Sequence, residues 1–405
     1  MEVHPAPSPK DLLWANMSAS RSSIYNMSCV TAVAYYAGLS GWSVVLALVA
    51  ALSNLHTFES IVPGLQRLGG LGYAILQGLL PVLVIMYFNS TIAWIMTYVA
   101  TKVERQRTQS AVQLQVFRWA FTYQIYNVYL ILMASAATSH GMGLLLLRSK
   151  PYALLALLSS ALPGSSAFFL NYIATSWLGG VPVLLLNRQA SWQMWWYTTI
   201  PPPHKVTRHT LKSGPMAAQS VGYGGAFPNY LYVLCCVLLF WVISPLISML
   251  ATGFFYSSYL AWKYKFCFVV VRGYESGGEL FHGVYSFSMI GLLASSIMSI
   301  AYMGVKMGTS QVTMLAPLPF LIIFCWRKTV RQFQALAANM AFQTAMEQDA
   351  DFSQAEIIST FSDLLYQPPS LTSPALAYPY PHRILDTPLL TPQVLNKLII
   401  FISTF

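Results

Sequence analysis

Charged side chains are scarce in this chain of 405 residues. Lys, Arg, Asp and Glu together make up only 8% of it, and no acidic residue occurs between Glu104 and Glu275. The middle of the chain therefore lacks the paired carboxylates that acid–base catalysis commonly requires. The seven histidines are scattered, and no set of His, Cys and Asp has metal-ligand spacing. We predict no enzyme, no catalytic residue, no metal site and no cofactor.

Hydrophobic residues, in contrast, make up 56% of the chain, and the mean hydropathy is +0.55. A hydrocarbon core of about 30 Å requires roughly 20 apolar residues per helix. Eight apolar stretches, most of them long enough, are predicted to span a membrane: residues 24–52, 70–100, 117–139, 163–187, 228–245, 246–262, 283–305 and 311–326. The predicted fold class is an all-α polytopic membrane protein.

The distribution of basic residues predicts the orientation. With the N-terminus in the cytoplasm, sixteen Lys and Arg residues fall in inner segments and four in outer loops. The positive-inside rule favours this arrangement, and an even number of spans returns the C-terminus to the cytoplasm. The formal charge of +10 is assigned to cations at helix ends, where they meet anionic headgroups. Nucleic acid is therefore not a predicted partner.

The chain is predicted to have three regions: a cytoplasmic lead of residues 1–23, a transmembrane domain of residues 24–331, and a mostly disordered cytoplasmic tail of residues 332–405. Within the domain, residues 142–162 are interpreted as an interfacial segment on the outer leaflet, with a short re-entrant piece as the alternative. Ser244-Pro245 predicts a tight turn between the fifth and sixth spans.

Uncharged polar residues recur inside several spans, where they are costly unless they face protein or water. On the fourth span, Asn171, Thr175, Gly179 and Pro182 recur at intervals of four, four and three residues, which places them on one helical face. Glycine and proline also weaken a helix, so the piece from Gly179 to Pro182 is a predicted hinge.

The second and third spans carry polar residues of the same kind. Gln77 lies near the middle of the second span, and Gln124 and Asn127 lie one turn apart on the third, beside Tyr123. A polar stripe shared by three helices indicates a permeation path. Interhelical hydrogen bonding with small-residue packing explains the pattern equally well.

Four short segments carry a resemblance to a known family. They are Pro9-Lys-Asp-Leu-Leu-Trp-Ala-Asn16, Tyr126-Asn-Val-Tyr129, Phe168-Phe-Leu-Asn-Tyr172 and Tyr274-Glu-Ser-Gly-Gly278. In order, they resemble the P-x-D-I-I-W-x-N, F/V-N-V-F, F-F-x-x-Y and Y-E-S-G-G segments of the OSCA-type hyperosmolality- and stretch-gated cation channels. The resemblance covers roughly residues 8–330.

The resemblance implies an anoctamin-like helical bundle with a pore inside one subunit, lined here by the first five spans. It implies a mechanosensitive, osmosensing and calcium-permeable channel, with the plasma membrane favoured over an endomembrane. Together with the polar stripe, it gives these pore-lining candidates: Gln77, Tyr123, Gln124, Asn127, Asn171, Tyr172, Thr175 and Ser176. The gating hinge candidates are Gly179, Gly180 and Pro182.

Two departures from the family pattern leave questions open. The family's N-terminal helices and large cytosolic domain have no counterpart here, as expected of a truncated gene model, a split protein or a reduced relative. Leu184 and Ser176 stand where familiar members carry acidic residues, so ion selectivity and conductance are not fixed.

The predicted partners are membrane lipids and inorganic cations, namely calcium, potassium and sodium. A homodimer and a separate subunit that supplies the cytosolic domain are further options. Two other functions stay open: a phospholipid scramblase of the anoctamin-like type and a non-conducting, truncated membrane subunit.

The predicted topology can be tested by labelling introduced cysteines in intact cells with an impermeant reagent. Cysteines at Ser60 and Ser149 should react from outside, whereas cysteines at Gln106 and Ser213 should not, because of the asymmetry of basic residues. Labelling at Ser213 would contradict the span count or the orientation.

Overall fold

The computed structural model describes residues 8–52, 69–140, 151–186, 195, 220–271, 273–274 and 278–334. Within these ranges the named elements are helical, and an isolated antiparallel bridge joins Leu12 to Thr108. After two short 3-10 helices, the α-helices are α1 (Arg21–Leu52), α2 (Gly69–Tyr98), α3 (Gln109–His140), α4 (Pro151–Thr175), α5 (Val181–Leu185), α6 (Tyr223–Phe240), α7 (Leu246–Phe268), α8 (Glu279–Val305), α9 (Thr309–Leu315) and α10 (Leu318–Thr329). π-helical turns follow α2, α4 and α10 at Val99–Val103, Ser176–Gly180 and Val330–Gln334.

Five helical stretches in the described ranges are long and apolar enough to cross a membrane. They are Val82–Val103, Ser159–Leu185, Tyr223–Phe240, Leu280–Val305 and Thr309–Phe333. The all-α polytopic fold is thereby confirmed, whereas the count of eight spans and the orientation stay predictions. The predictions for residues 53–68, 141–150, 187–194, 196–219 and 335–405 fall outside the described residues.

One predicted boundary is wrong. The fourth helix begins at Pro151 instead of residue 163, so the part of the predicted interfacial segment from Pro151 onward is continuous with that helix. Ser159, Ala161 and Leu162, at the end of that segment, are at most 1% exposed and pack inside the protein. The eighth span is interrupted at Ala316 and Pro317, where proline cannot continue the hydrogen-bond ladder. The predicted turn at Ser244-Pro245 is confirmed, since α6 ends at Phe240 and α7 begins at Leu246.

The chain divides into two units. The first comprises Met1–Trp177, Gly222–Tyr256 and Tyr274–Ser353, and the second comprises Leu178–Val221, Ser257–Gly273 and Gln354–Phe405. In the first unit, α3 packs against α1, α2, α4 and α6, and α8 packs against α4 and α6. The described part of the second unit includes α5 and the end of α7. α3 is therefore the central helix of the first unit.

Glycine lets α6 approach α3 closely. The backbone N–H of Gly224 donates to Gln113 Oε1 at 2.8 Å, and a Cβ at position 224 would lie 2.3 Å from the carbonyl oxygen of Gln113. Further along this packing, Phe117, Leu231 and Cys235 belong to one buried hydrophobic cluster. Close contact at Gly224 thus fixes how α3 and α6 align.

The first turn of α3 is capped from a distant part of the chain. The carboxylate of Asp11, only 2% exposed, accepts hydrogen bonds from the backbone N–H of Ser110 at 2.8 Å and from the Ser110 hydroxyl at 2.6 Å. The hydroxyl of Thr108 accepts a third, from the N–H of Ala111 at 3.3 Å. These acceptors satisfy N–H groups that a helix start otherwise leaves free, and a carboxylate also complements the positive end of the helix dipole.

Neighbouring contacts hold the lead segment on the connection between α2 and α3. The side-chain amide of Asn16 donates to the carbonyl oxygens of Thr101 and Gln106, each at 2.9 Å. The N–H of Leu13 donates to the carbonyl oxygen of Arg107 at 2.8 Å. Two segments predicted to lie on the same side of the membrane therefore meet in the structure.

Replacing Asp11 should destabilise the protein through this cap. Asp11→Ala should lower the free energy of unfolding by about 1 kcal/mol, the usual value for a lost helix cap. Thermal unfolding in detergent measures the change, with Lys10→Ala as the control because Lys10 is exposed. Equal unfolding midpoints for the two variants would contradict the capping role.

Candidate functional site

Five polar side chains from four helices lie buried inside the first unit. They are Asn89 on α2, Gln124 and Asn127 on α3, Tyr172 on α4 and Tyr232 on α6, and each is at most 4% exposed. We call these five residues the polar core. An apolar surrounding makes such groups costly unless they face protein or water, so their collection in one region requires a reason.

Hydrogen bonds and ring contacts connect the polar core to itself and to α1. Asn89 Nδ2 donates to the Tyr172 hydroxyl at 3.4 Å, and the rings of Tyr172 and Tyr232 meet edge to face with centroids 4.9 Å apart. The indole N–H of Trp42 on α1 donates to Asn127 Oδ1 at 3.0 Å. The contacts thus run through α1, α2, α3, α4 and α6.

A second connection lies one helical turn away. Gln124 Nε2 donates to the side-chain oxygen of Asn229 on α6 at 2.7 Å. Asn229 stands one turn before Tyr232, as Gln124 stands one turn before Asn127. α3 and α6 therefore face each other with polar groups over two successive turns.

Four atoms of the polar core make no hydrogen bond of standard geometry among the described residues: Asn89 Oδ1, Gln124 Oε1, Asn127 Nδ2 and the Tyr232 hydroxyl. Two of them have a polar neighbour all the same, since Asn127 lies beside the Tyr123 phenol and the Tyr232 hydroxyl lies beside the Cys236 thiol. Buried polar atoms without partners are rare in folded proteins, so four of them in one cluster indicate a functional demand. Carbonyl and hydroxyl oxygens are also ligands that hard cations accept.

The structure brings together only part of the predicted site. Gln124, Asn127 and Tyr172 belong to the polar core, and Tyr123 is 3% exposed, in a cluster with Tyr35. Asn171 is only half-buried. Gln77 lies on α2, but its side chain is outside what the structure describes.

Two hydroxyls of the fourth helix bond to their own backbone. Thr175 Oγ1 donates to the carbonyl oxygen of Asn171 and Ser176 Oγ donates to that of Tyr172, both at 2.7 Å. Ser176 is 7% exposed, whereas Thr175 is half-buried. The buried polar residues at the end of the fourth helix are therefore Tyr172 and, in the following π-helical turn, Ser176. Each is the residue directly after one that the spacing indicated, Asn171 or Thr175.

Sequence reasoning missed Asn89, Asn229, Tyr232 and Trp42. Asn229 and Tyr232 stand one helical turn apart on α6, whereas Asn89 and Trp42 have no polar counterpart one turn away. One signal could have identified them: a polar side chain in a membrane-spanning segment carries a free-energy cost, whether it occurs alone or in a stripe.

The predicted hinge coincides with an irregular piece of helix. Ser176–Gly180 is a π-helical turn between α4 and α5, and Pro182 lies in the first turn of α5. π-helical turns often occur at functional sites. A Cβ added at Gly179 or Gly180 would have no atom within 4 Å, so neither glycine is required by close packing.

Tyr274, from the predicted Y-E-S-G-G segment, lies at the end of the bundle that Asp11 occupies. Its side chain is 7% exposed, and its ring centroid lies 6.1 Å from that of Tyr223. Burial, followed by the nearby Tyr223 and Asp11, raises the pKa of the Tyr274 phenol. Two of the four segments that carry the family resemblance therefore meet at one end of the bundle.

Comparison with known proteins decides the family. The profile described as "Calcium-dependent channel, 7TM region" matches residues 27–303. The chain belongs to this family. The match covers the first seven of the eight predicted spans, and a family of channels agrees with the prediction that this multi-pass membrane protein is not an enzyme.

Relatives whose names state a function are distant in sequence but aligned over most of this chain. Hyperosmolality-gated Ca2+ permeable channel 2.3 of Arabidopsis thaliana is 22% identical over 91% of this chain and 51% of the relative. CSC1-like protein ERD4 of Brassica juncea is 23% identical over 84% of this chain and 47% of the relative. Phosphate metabolism protein 7 of Saccharomyces cerevisiae is 21% identical over 72% and 30%. The chain spans about half the length of the first two relatives.

The contact between Gln124 and Asn229 can be tested with a double-mutant cycle. Gln124→Leu, Asn229→Leu and the double variant should give a coupling energy of about 0.6–1.7 kcal/mol, the range measured for hydrogen bonds between membrane helices. Chemical unfolding in mixed micelles provides the free energies. A coupling of zero would contradict the contact.

Tyr232→Phe is the variant of the polar core to compare with the Gln124 and Asn229 variants, because it should remove little hydrogen bonding. The Tyr232 hydroxyl makes no hydrogen bond of standard geometry among the described residues, and the Cys236 thiol beside it is only a weak acceptor. Its removal should therefore cost less than about 0.5 kcal/mol, well below the usual loss of about 1 kcal/mol for a buried hydrogen bond. A larger cost would show that the hydroxyl is bonded in the folded protein.

Proposed function

We propose that this chain forms the membrane part of a calcium-permeable cation channel that opens under tension or osmotic stress, with the polar core on its permeation path. Family membership and the names of the Arabidopsis relatives support channel function. The permeation path is placed at the polar core because four buried polar atoms there make no hydrogen bond of standard geometry among the described residues. The plasma membrane is the proposed location of the channel.

The polar core is proposed to be closed in the described conformation. Its side chains are at most 4% exposed, so a hydrated ion would need the helices to separate. Membrane tension favours the conformation with the larger in-plane area, provided that the two conformations differ in area. Separation would hydrate Asn89, Gln124 and Asn127, and would remove the cost of their unpaired atoms.

Ion selectivity is expected to be weak. No acidic residue occurs between Glu104 and Glu275, and the positions at Ser176 and Leu184 are uncharged. Passing cations would meet only amide, hydroxyl and carbonyl dipoles, whereas strong cation selectivity commonly uses rings of carboxylates or ordered carbonyls.

Recordings from reconstituted protein under suction test the proposed function. Wild-type protein in liposome patches should give currents that increase with suction and are carried by calcium, potassium and sodium. Tension-independent current, or none at all, would contradict the proposal. Protein-free patches from the same lipid are the control.

The predicted hinge can be tested by comparing alanine substitutions at Gly180 and at Gly38, two glycines with open space around an added Cβ. Gly180→Ala should stiffen the fourth helix and change the gating free energy by about 1 kcal/mol, the difference in helix propensity between the two residues. Gly38→Ala on α1 is the control, because a Cβ at either position has no atom within 4 Å. The pressure threshold in the same recordings measures both, and equal thresholds would contradict a hinge at Gly180.

An added acid can test whether the end of this helix faces the ion path. Leu184→Glu should raise the cation-to-anion permeability ratio if position 184 faces water during conduction. Leu185→Glu adds the same charge at the exposed neighbouring position and is the control. Reversal potentials under a salt gradient give the ratio; no difference between the two variants would remove Leu184 from the path.

Lipid transport is the second candidate function. The absence of acids from residues 105–274 favours it, since a path without fixed charge suits zwitterionic headgroups as well as ions. Vesicles with fluorescent lipid distinguish the two: scrambling without tension-dependent current supports transport of lipids. A non-conducting subunit that needs a partner with a cytosolic domain predicts neither activity, and a homodimer would be seen by light scattering in detergent.

A further inference from the structure

The C-terminal helix of the described bundle has a face that the other described residues do not cover. Within Thr309–Phe333, Ile322 is the one buried residue, although the stretch is apolar enough to span a membrane. On α10, Ile322 is 3% exposed, whereas Phe320 and Phe324 are 76% and 66% exposed. α10 therefore packs on α8 through one side and presents aromatic rings on the other.

Basic residues continue this exposed face. At 100° per residue, Phe320, Phe324 and Arg327 lie about 160°, 200° and 140° around the helix from the buried Ile322. Arg331 follows Arg327 by one further turn. These residues line one surface groove with Ile323, Lys328 and Gln332. The groove thus changes from aromatic to basic along the helix axis.

The spacing along the axis is that of a phospholipid. Arg327 and Arg331 lie about 10 Å further along the helix than Phe320 and Phe324, at a rise of 1.5 Å per residue. Each interfacial region of a bilayer is about 5–8 Å thick, so acyl chains on the rings would put a phosphate beside the cations. This end of α10 is also on the predicted cytoplasmic side, where anionic lipids are concentrated.

Few carboxylates of the described ranges can compete for these cations. The acids in those ranges are Asp11, Glu104 and Glu279. Asp11 and Glu104 are both 2% exposed and accept hydrogen bonds elsewhere. Glu279 is the first residue of α8, and a single carboxylate would leave a net charge of +2 on the three cations.

We propose that the groove of α10 binds an anionic phospholipid, with its phosphate held by Arg327, Lys328 and Arg331 and its acyl chains against Phe320 and Phe324. Guanidinium groups bind phosphate oxygens through paired hydrogen bonds, and the exposed rings give the chains an apolar surface. This site is separate from the polar core and does not depend on channel function.

The native Cys325 provides a probe on the same helix, because it is exposed on α10, next to Phe324 in the chain and about 100° from it around the helix. In full-length protein with the other four cysteines replaced by alanine, a bimane label at Cys325 would be followed in vesicles. Phosphatidylserine carrying a spin label should quench it more strongly than spin-labelled phosphatidylcholine at the same mole fraction. Equal quenching by the two lipids would overturn the proposal.

Removing the three charges tests whether Arg327, Lys328 and Arg331 bind the phosphate. The variant Arg327→Gln, Lys328→Gln, Arg331→Gln should lower the apparent preference for phosphatidylserine by about tenfold or more, since each basic residue near an anionic surface contributes appreciably. Its matched control is Arg21→Gln, Lys102→Gln, Lys263→Gln, which removes three exposed charges from different parts of the bundle. Equal loss in both variants would show a general charge effect and overturn the proposal.

Two other occupants are distinguished by the same probe. If the acidic tail covers the groove, the preference should appear only after Glu347→Gln, Asp349→Asn, Asp351→Asn and Glu356→Gln together, which would overturn lipid as the resident. If the site binds free anions, millimolar inorganic phosphate should abolish the preference for phosphatidylserine, and that result would also overturn the proposal. Preference in unaltered protein that survives phosphate supports the lipid.

Discussion

Each polar group in this bundle must find its partner inside the protein, because lipid offers none. Several groups at the end of the bundle meet this constraint: Asp11 caps α3, Asn16 bonds two backbone carbonyls, and buried Glu104 accepts bonds from Thr31 and Gln106. Arg107 Nε and the Tyr274 hydroxyl at that end make no such bond in the described ranges, and neither do four atoms of the polar core. The polar core differs in holding four of these atoms on neighbouring helices, and it is proposed as the functional region for that reason.

α3 connects the two regions. Its first turn is held by the lead segment, and two turns in its middle carry Gln124 and Asn127. A rigid helix that is anchored at one end and faces the polar core further along can transmit a displacement from the membrane surface to that core. α4 differs from α3, because it is followed by the π-helical turn Ser176–Gly180, where the regular α-helical hydrogen bonding is interrupted.

Hydropathy predicted the helical class and most helix positions, because apolar length is a strong signal that needs no knowledge of tertiary contacts. It failed at Pro163, which looked like a helix start but lies inside α4. Periodicity identified Gln124 and Asn127, since they repeat at helical spacing, yet it chose Asn171 and Thr175 over the buried Tyr172 and Ser176. Asn229 and Tyr232 depend on how α6 docks against α3, a tertiary fact that no local pattern contains.

The most direct measurement is modification of a cysteine in the polar core during gating. In full-length protein with the five native cysteines replaced, Asn127→Cys would be exposed to a cationic thiol reagent in patches with and without suction. We expect rapid loss of the tension-evoked current when the reagent is applied under suction, and little reaction at rest, because residue 127 is 1% exposed in the described conformation. Current that persists after reagent under suction, or modification that is independent of tension, would contradict a permeation path through the polar core.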